Sequence, residues 1–119
     1  MRVLVVDDSK AMRLIVMRTL RQAGLKVDVS EAADGKQALG AIRETPPDLV
    51  LCDWNMPEMS GIELLTALRA EGNAVKFGFV TTESTPEMRA KANEAGALFL
   101  IAKPFTAETF QTTLGPLLS

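Results

Sequence analysis

The sequence contains no histidine. Every mechanism that needs an imidazole base, nucleophile or metal ligand in this chain is therefore excluded. It contains one cysteine, Cys52, so no disulfide can form within the chain, and a reducing, cytoplasmic setting is expected. Positive charge is not in excess: 13 Lys and Arg stand against 15 Asp and Glu, a formal net charge of −2. Binding nucleic acid through bulk charge needs a basic surface, so no direct nucleic-acid partner is expected. No apolar run approaches the roughly 20 residues that cross a bilayer, and no membrane partner is expected either. The N-terminus reaches Asp7-Asp8 after only a short apolar stretch, too short for a secretion signal. Linkers, repeats and low-complexity segments are also missing. What remains is 119 residues, 47% hydrophobic and 24% charged, the size and balance of one globular domain over 1–119.

Short apolar runs alternate with helix-like segments along the whole length. The runs are Val3–Val6, Val27–Val29, Leu49–Cys52, Phe77–Val80 and Leu98–Ile101. Continuous apolar runs of this length read as strands buried on both faces. The second alternates with polar residues (Val27, Asp28, Val29, Ser30), which places it at a sheet edge. Between the runs the apolar period lengthens to that of a helix. Met12, Ile15, Val16, Leu20 and Ala23 share one face, with Gly24 as a stop, while Arg13, Arg18 and Arg21 read as a solvated face. Ala38, Leu39 and Ile42 form a second helix before Pro46-Pro47, and Ile62, Leu65 and Leu68 a third, closed near Gly72-Asn73. Met88, Ala92 and Ala95 form a fourth, opened by Ser84-Thr85-Pro86-Glu87, with Ser84 and Glu87 matching a capping box, and stopped by Gly96. Ala107, Phe110, Leu114 and Leu117 suggest a fifth, which Gly115-Pro116 should distort or end.

Strands alternating with helices imply βαβ units and a parallel sheet. Right-handed crossovers and the edge character of the second strand fit an α/β, flavodoxin-like, doubly wound (βα)5 fold with strand order 2-1-3-4-5.

In such a sheet, ligands sit at the carboxyl ends of the strands where the order reverses, between the first and third. The first strand ends at Asp7 and Asp8 and the third at Asp53, so three carboxylates should converge. Two unit charges about 4 Å apart repel by roughly 4 kcal/mol near a protein surface. Lys103, just after the fifth strand, is the counter-charge another strand end supplies. Three negative charges and one positive leave a deficit of about two, and carboxylate oxygens select a hard divalent cation such as Mg2+. At the end of the fourth strand, Thr81 offers a hydroxyl to a phosphoryl oxygen. A carboxylate nucleophile, an acidic metal site, a hydroxyl and an ammonium are the parts of aspartyl-phosphate chemistry.

These residues resemble the receiver domains of bacterial two-component response regulators. The likeness rests on Asp7-Asp8, Asp53, Met56-Pro57 with Gly61 beyond, Thr81, and Lys103-Pro104-Phe105, each on the expected strand end. The stretches around Asp7 and Asp53 are most similar to single-domain chemotaxis-type receivers. The resemblance implies that Asp53 takes a phosphoryl group from a phosphohistidine on a histidine kinase or phosphotransfer protein. It implies Mg2+ held by Asp8, Asp53 and the main-chain carbonyl of Asn55, with Asp7 acting largely through water. Lys103 would pair with the carboxylate and then the phosphate, Thr81 would move inward, and the Lys103–Pro104 peptide would be cis. Asn55 and Glu83 fall where the family tunes phosphoryl lifetime, and polar groups there that orient water would give a short-lived phosphoprotein.

Two departures stand out. Leu100 occupies the position, three before the lysine, where the family often has an aromatic switch residue. Thr82 stands where a smaller residue is common and would narrow access to the phosphoryl group. Phe99 should face the opposite side of the sheet from Leu100. Trp54 either lines a partner surface or covers the site. With the sequence ending at Ser119, output is expected to pass to another, unidentified protein through the fourth helix, fifth strand and fifth helix. Such a chain is not an enzyme beyond its own phosphorylation and dephosphorylation.

The alternative from the enzyme class is a small Mg2+-dependent aspartate-nucleophile phosphohydrolase. Against it, Asp7 and Asp8 are not spaced to alternate as nucleophile and acid–base, and no cap or substrate pocket is evident. A flavin or nucleotide binder would need a Gly- or Ser/Thr-rich phosphate cradle after the first strand. A degenerate, non-phosphorylated receiver would lack some of these charged residues.

Overall fold

A computed structural model describes residues 1–118. The elements run β1 (Arg2–Val6), α1 (Lys10–Gln22), β2 (Asp28–Ala32), α2 (Gly35–Glu44), β3 (Leu49–Cys52), α3 (Gly61–Ala70), β4 (Phe77–Thr81), α4 (Pro86–Ala95), β5 (Leu100–Ala102) and α5 (Ala107–Leu118). The five strands form one parallel sheet in the order β2-β1-β3-β4-β5, as the alternating pattern predicts. No described helix is long and apolar enough to cross a membrane.

Why the central strands are apolar at every position follows from the two cores. Leu4, Val6, Val50, Cys52, Phe77 and Phe79 pack on one face against Ala38, Ile42, Leu64, Leu65, Leu68 and Ala92, which come from α2, α3 and α4. The alternate residues Val3, Val5, Leu49, Leu51, Val80 and Ile101 pack on the other face against Val16, Leu20, Phe110 and Leu114 of α1 and α5. The period of two sends neighbours to opposite faces, and both faces are covered. β2 pairs only with β1, and most of its residues stay exposed.

Helix ends follow local chemistry. Ser9, Asp34, Ser60 and Thr85 each cap a helix by accepting from a backbone N–H in the first turn. Ser60 and Glu63 form a reciprocal capping box. The box expected from Ser84 and Glu87 does not form. Pro86 occupies the first turn, so Thr85 is the cap and its hydroxyl accepts from the Met88 N–H. Gly96 closes α4 in the left-handed region, φ 98°.

Two further expectations are corrected. β5 begins at Leu100, not Leu98, because residues 97–99 after the Gly96 stop turn the chain from helix into sheet, and Leu98 is left exposed. α5 continues through Gly115 and Pro116 to Leu118. The proline lies in the last turn, where its missing N–H forfeits a single helical bond.

Phe99 and Leu100 do face opposite sides: Leu100 packs on the α2–α4 core and Phe99 on the α1–α5 core. The Phe99 ring lies against Gly78 of the neighbouring strand, in the space a β-carbon there would fill. Gly78→Ala is expected to destabilise the protein by about 1–3 kcal/mol through overpacking, read by urea unfolding. Combining it with Phe99→Ala should cost less than the sum of the two single changes.

Candidate functional site

Parallel pairing places Val6 of β1 level with Cys52 of β3. The residues that follow, Asp7 and Asp53, leave the sheet side by side at the point where strand order reverses. Backbone bonds fix both: the Asp53 N–H donates to the Val6 carbonyl at 2.9 Å and the Asp7 N–H to the Ala32 carbonyl at 3.2 Å. Asp7, Asp8 and Asp53 each bring a carboxylate oxygen within 4.8 Å of the other two. Asp7 is buried, Asp53 half-buried and Asp8 exposed, so the cluster opens to solvent on the Asp8 side.

Lys103 closes the buried side. Its Nζ lies 3.3 Å from Asp7 Oδ2 and 3.7 Å from Asp53 Oδ1, and its side chain is only 9% exposed. The Lys103 backbone N–H donates to the Thr81 carbonyl at 2.7 Å, tying the ends of β4 and β5 together. The Lys103–Pro104 peptide is cis, as the resemblance implies. The other Asp7 oxygen, Oδ1, accepts from the Ser9 N–H at 2.9 Å. The same serine caps α1, so this cap also anchors a member of the acidic group.

Partial burial pushes the Asp53 carboxyl above its ordinary value. Lys103 works against that, the Asp7 charge adds to it, and the backbone N–H groups of Trp54 and Asn55 donate to the carboxylate and lower it. One ammonium beside three carboxylates leaves Asp53 short of positive charge. Burial, with the neighbouring carboxylates, also raises the Cys52 thiol well above its usual range. Cys52 is fully buried and belongs to the core, as the sequence suggests.

The chain approaches Asp53 closely from the other side. A β-carbon on Gly61 would collide with the Asp53 carbonyl oxygen and crowd the Phe79 ring. The Gly61 N–H donates to the Trp54 carbonyl at 2.8 Å, which folds the loop after β3 back over its own start. Trp54 packs on Phe79 with ring centroids 4.7 Å apart, so it covers core next to the site.

Thr81 sits at the end of β4, fully buried, its hydroxyl accepting from the Glu83 N–H at a long 3.5 Å. Asn55, Thr82 and Glu83 are exposed on the rim. Leu100 lies farther back, half-buried under α4. The strand ends thus gather Asp7, Asp8, Asp53 and Lys103 by direct distances.

The helical pattern places Arg13 on a solvated face, and the structure corrects this. Its side chain is 13% exposed, its Nε donates to Glu31 Oε1 at 2.9 Å, and its Nη1 donates to the Asp7 carbonyl at 2.7 Å. A signal existed: a cation four residues into a helix opposes the helix dipole unless acidic groups lie nearby.

The donor set suits a hard cation. All three groups are carboxylates, they stand within 4.8 Å, and the cluster's net charge after Lys103 is about two negative units.

Comparison with known proteins agrees in extent with these features. The sequence profile of the response regulator receiver domain matches residues 3–114. The chain is 40% identical over 116 residues to chemotaxis protein CheY-3 of Vibrio cholerae, covering 96% of this chain and 88% of that protein. It is 36% identical over 115 residues to a probable chemotaxis protein CheY of Rhizobium etli, covering 95% and 88%. The solved structure of Vibrio cholerae CheY4 superposes with a TM-score of 0.86 at 37% identity, covering 98% of both chains.

The raised Asp53 carboxyl has a consequence for stability. Unfolded, it would titrate near its ordinary value of 3.8; folded, it holds its proton to higher pH. Across that interval unfolding releases a proton, so ionising Asp53 costs stability as pH rises through the window. In metal-free protein at neutral pH, Asp53→Asn should remove the cost of burying an ionised carboxylate and raise Tm. The gain should vanish below pH 3.8, where both states are protonated. Calorimetric melts from neutral to acid pH check it.

Proposed function

Because the chain belongs to the response regulator receiver domain family, we propose that it accepts a phosphoryl group on Asp53 from a phosphohistidine of a kinase or phosphotransfer protein. The observation that carries this reading is the half-buried Asp53 carboxylate, flanked by Asp7 and Asp8 within 4.8 Å and by Lys103 at 3.7 Å. An Asp53 oxygen attacks phosphorus, the P–N bond breaks, and the bonding electron pair stays on the imidazole nitrogen; with the proton already on its other ring nitrogen, neutral imidazole leaves. This chain has no histidine, so it is the acceptor in the exchange.

The metal would be Mg2+, held by Asp8, Asp53 and the Asn55 carbonyl, with Asp7 acting through water. When bound, it neutralises charge on the transferring phosphoryl oxygens. Lys103 pairs with Asp53 before transfer and takes a phosphoryl oxygen after it. Thr81 exchanges its weak bond from the Glu83 N–H for a stronger one to the phosphate. Asn55 and Glu83, exposed on the rim, orient the water that ends the signal, which makes the phosphoprotein short-lived. Thr82 beside them narrows that approach.

The signal leaves through α4, β5 and α5. Phosphorylation adds about −1.5 to −2 charges at one point. Drawing Thr81 inward pulls on the loop that opens α4. Only Ala92 of that helix is buried, so few contacts resist its shift. Leu100 lies beneath it and repacks as the helix moves, in place of an aromatic ring changing sides. The new surface binds a downstream protein, in the cytoplasm.

Incubation with Mg2+ and a small acyl phosphate tests this. Intact-mass spectra should show one transient phosphoryl adduct, absent in Asp53→Asn and formed about 100-fold more slowly in Lys103→Ala. Amide exchange in α4 should rise in the phosphorylated state. Sustained turnover of phosphomonoesters, or an adduct that survives in Asp53→Asn, overturns the reading.

A further inference from the structure

We propose that Arg13 is a positioning residue for the acidic pocket, clamping the main-chain carbonyl of Asp7 and so setting the peptide from which Asp8 projects. The inference rests on the pocket being the cation-assisted phosphoacceptor described above. Three elements meet at this guanidinium. It belongs to α1, it donates to Glu31 on the edge strand β2, and it donates to Asp7 at the end of β1. β2 is itself registered against β1, with Glu31 level with Val5, so the anchor is fixed relative to what it holds.

The peptide group that Arg13 holds joins Asp7 to Asp8. Its carbonyl receives the 2.7 Å bond, and its N–H is that of Asp8. Asp7 is already fixed at its carboxylate by Lys103 and Ser9. Asp8 is exposed and lies on the open side of the cluster. The Arg13 clamp orients the backbone on which the Asp8 carboxylate stands. An arginine suits the task because its planar fork reaches two acceptors at once, which an ammonium on a flexible stem does not.

Charge and geometry predict opposite signs. A cation near the acidic group repels a second cation, so by charge alone removing Arg13 would tighten Mg2+ uptake. Loss of positioning weakens it. Outer-shell partners of metal ligands typically contribute about 10–100-fold in affinity.

The test uses Arg13→Lys, which keeps the charge and most of the stem, and Arg13→Ala. Arg43→Ala serves as control, because it deletes an Arg–Glu pair between α2 and the end of α3. Calorimetric titration with Mg2+ alone should show affinity about tenfold lower in both Arg13 variants and unchanged in the control. In metal-free protein, the order parameter of the Asp8 amide should fall from a rigid ~0.85 toward the mobile range in Arg13→Lys. Unchanged or tightened Mg2+ uptake in the Arg13 variants overturns the inference. If the parent protein itself takes up no Mg2+, the reading of the pocket fails separately. The Asp8 amide then decides alone, and an unchanged order parameter overturns the clamp.

Discussion

The structure turns on a charge imbalance held in place by the sheet. Three carboxylates share one end of two adjacent parallel strands, and one buried ammonium answers them. The arrangement is costly where nothing further neutralises it, because partial burial strengthens repulsion that bulk water would screen. The rest of the fold keeps it from relaxing. Both faces of β1 and β3 are sealed by core, so Asp7 and Asp53 cannot move apart without disturbing the ladder. Gly61 brings the next loop onto the Asp53 carbonyl, and Trp54 packs down on Phe79. The Lys103 backbone is tied to Thr81, and its ammonium is buried beside Asp7 and Asp53.

An imbalance of this kind is a useful resting state for a phosphoacceptor. In the proposed function it would make the pocket receptive to a cation and, with that cation, to a phosphoryl group. Stability spent on holding the carboxylates together becomes a difference between two states of the molecule. The helices differ in how firmly they are held. α1 contributes Val16, Thr19 and Leu20 to burial and α5 contributes Phe110 and Leu114, whereas α4 contributes only Ala92. In the proposed function movement would therefore fall on α4, beside the strand ends that carry Thr81 and Lys103.

Much of this was legible in the chain. The apolar runs, the polar alternation of β2 and the helix-period segments lead to the observed strand order. The aspartates, Lys103 and Thr81 were legible because strand ends are predictable and topology brings them to one rim. The misplacements have local causes. Ser84 resembles a cap by its spacing to Glu87, but Pro86 moves the first turn along by one. Leu98 is apolar and reads as strand, yet it falls in the turn leaving Gly96. The helical face alone places Arg13 in solvent. Its partners lie on two other elements, at residues 7 and 31, and neither is a helical neighbour.

The sequence by itself determined which segments are strand and which are helix, apart from some of their ends, and that four charged groups sit at strand ends, because hydrophobic period and end signals are written locally. Only the tertiary structure decided that Asp8 is the open corner of the acidic group, that Lys103 reaches two carboxylates at once, that Phe99 fills the space left by Gly78, and that Arg13 belongs to the site. Those are distances between elements far apart in the chain. They depend on how the faces pack, and packing is settled by the whole set of side chains, not by any one segment.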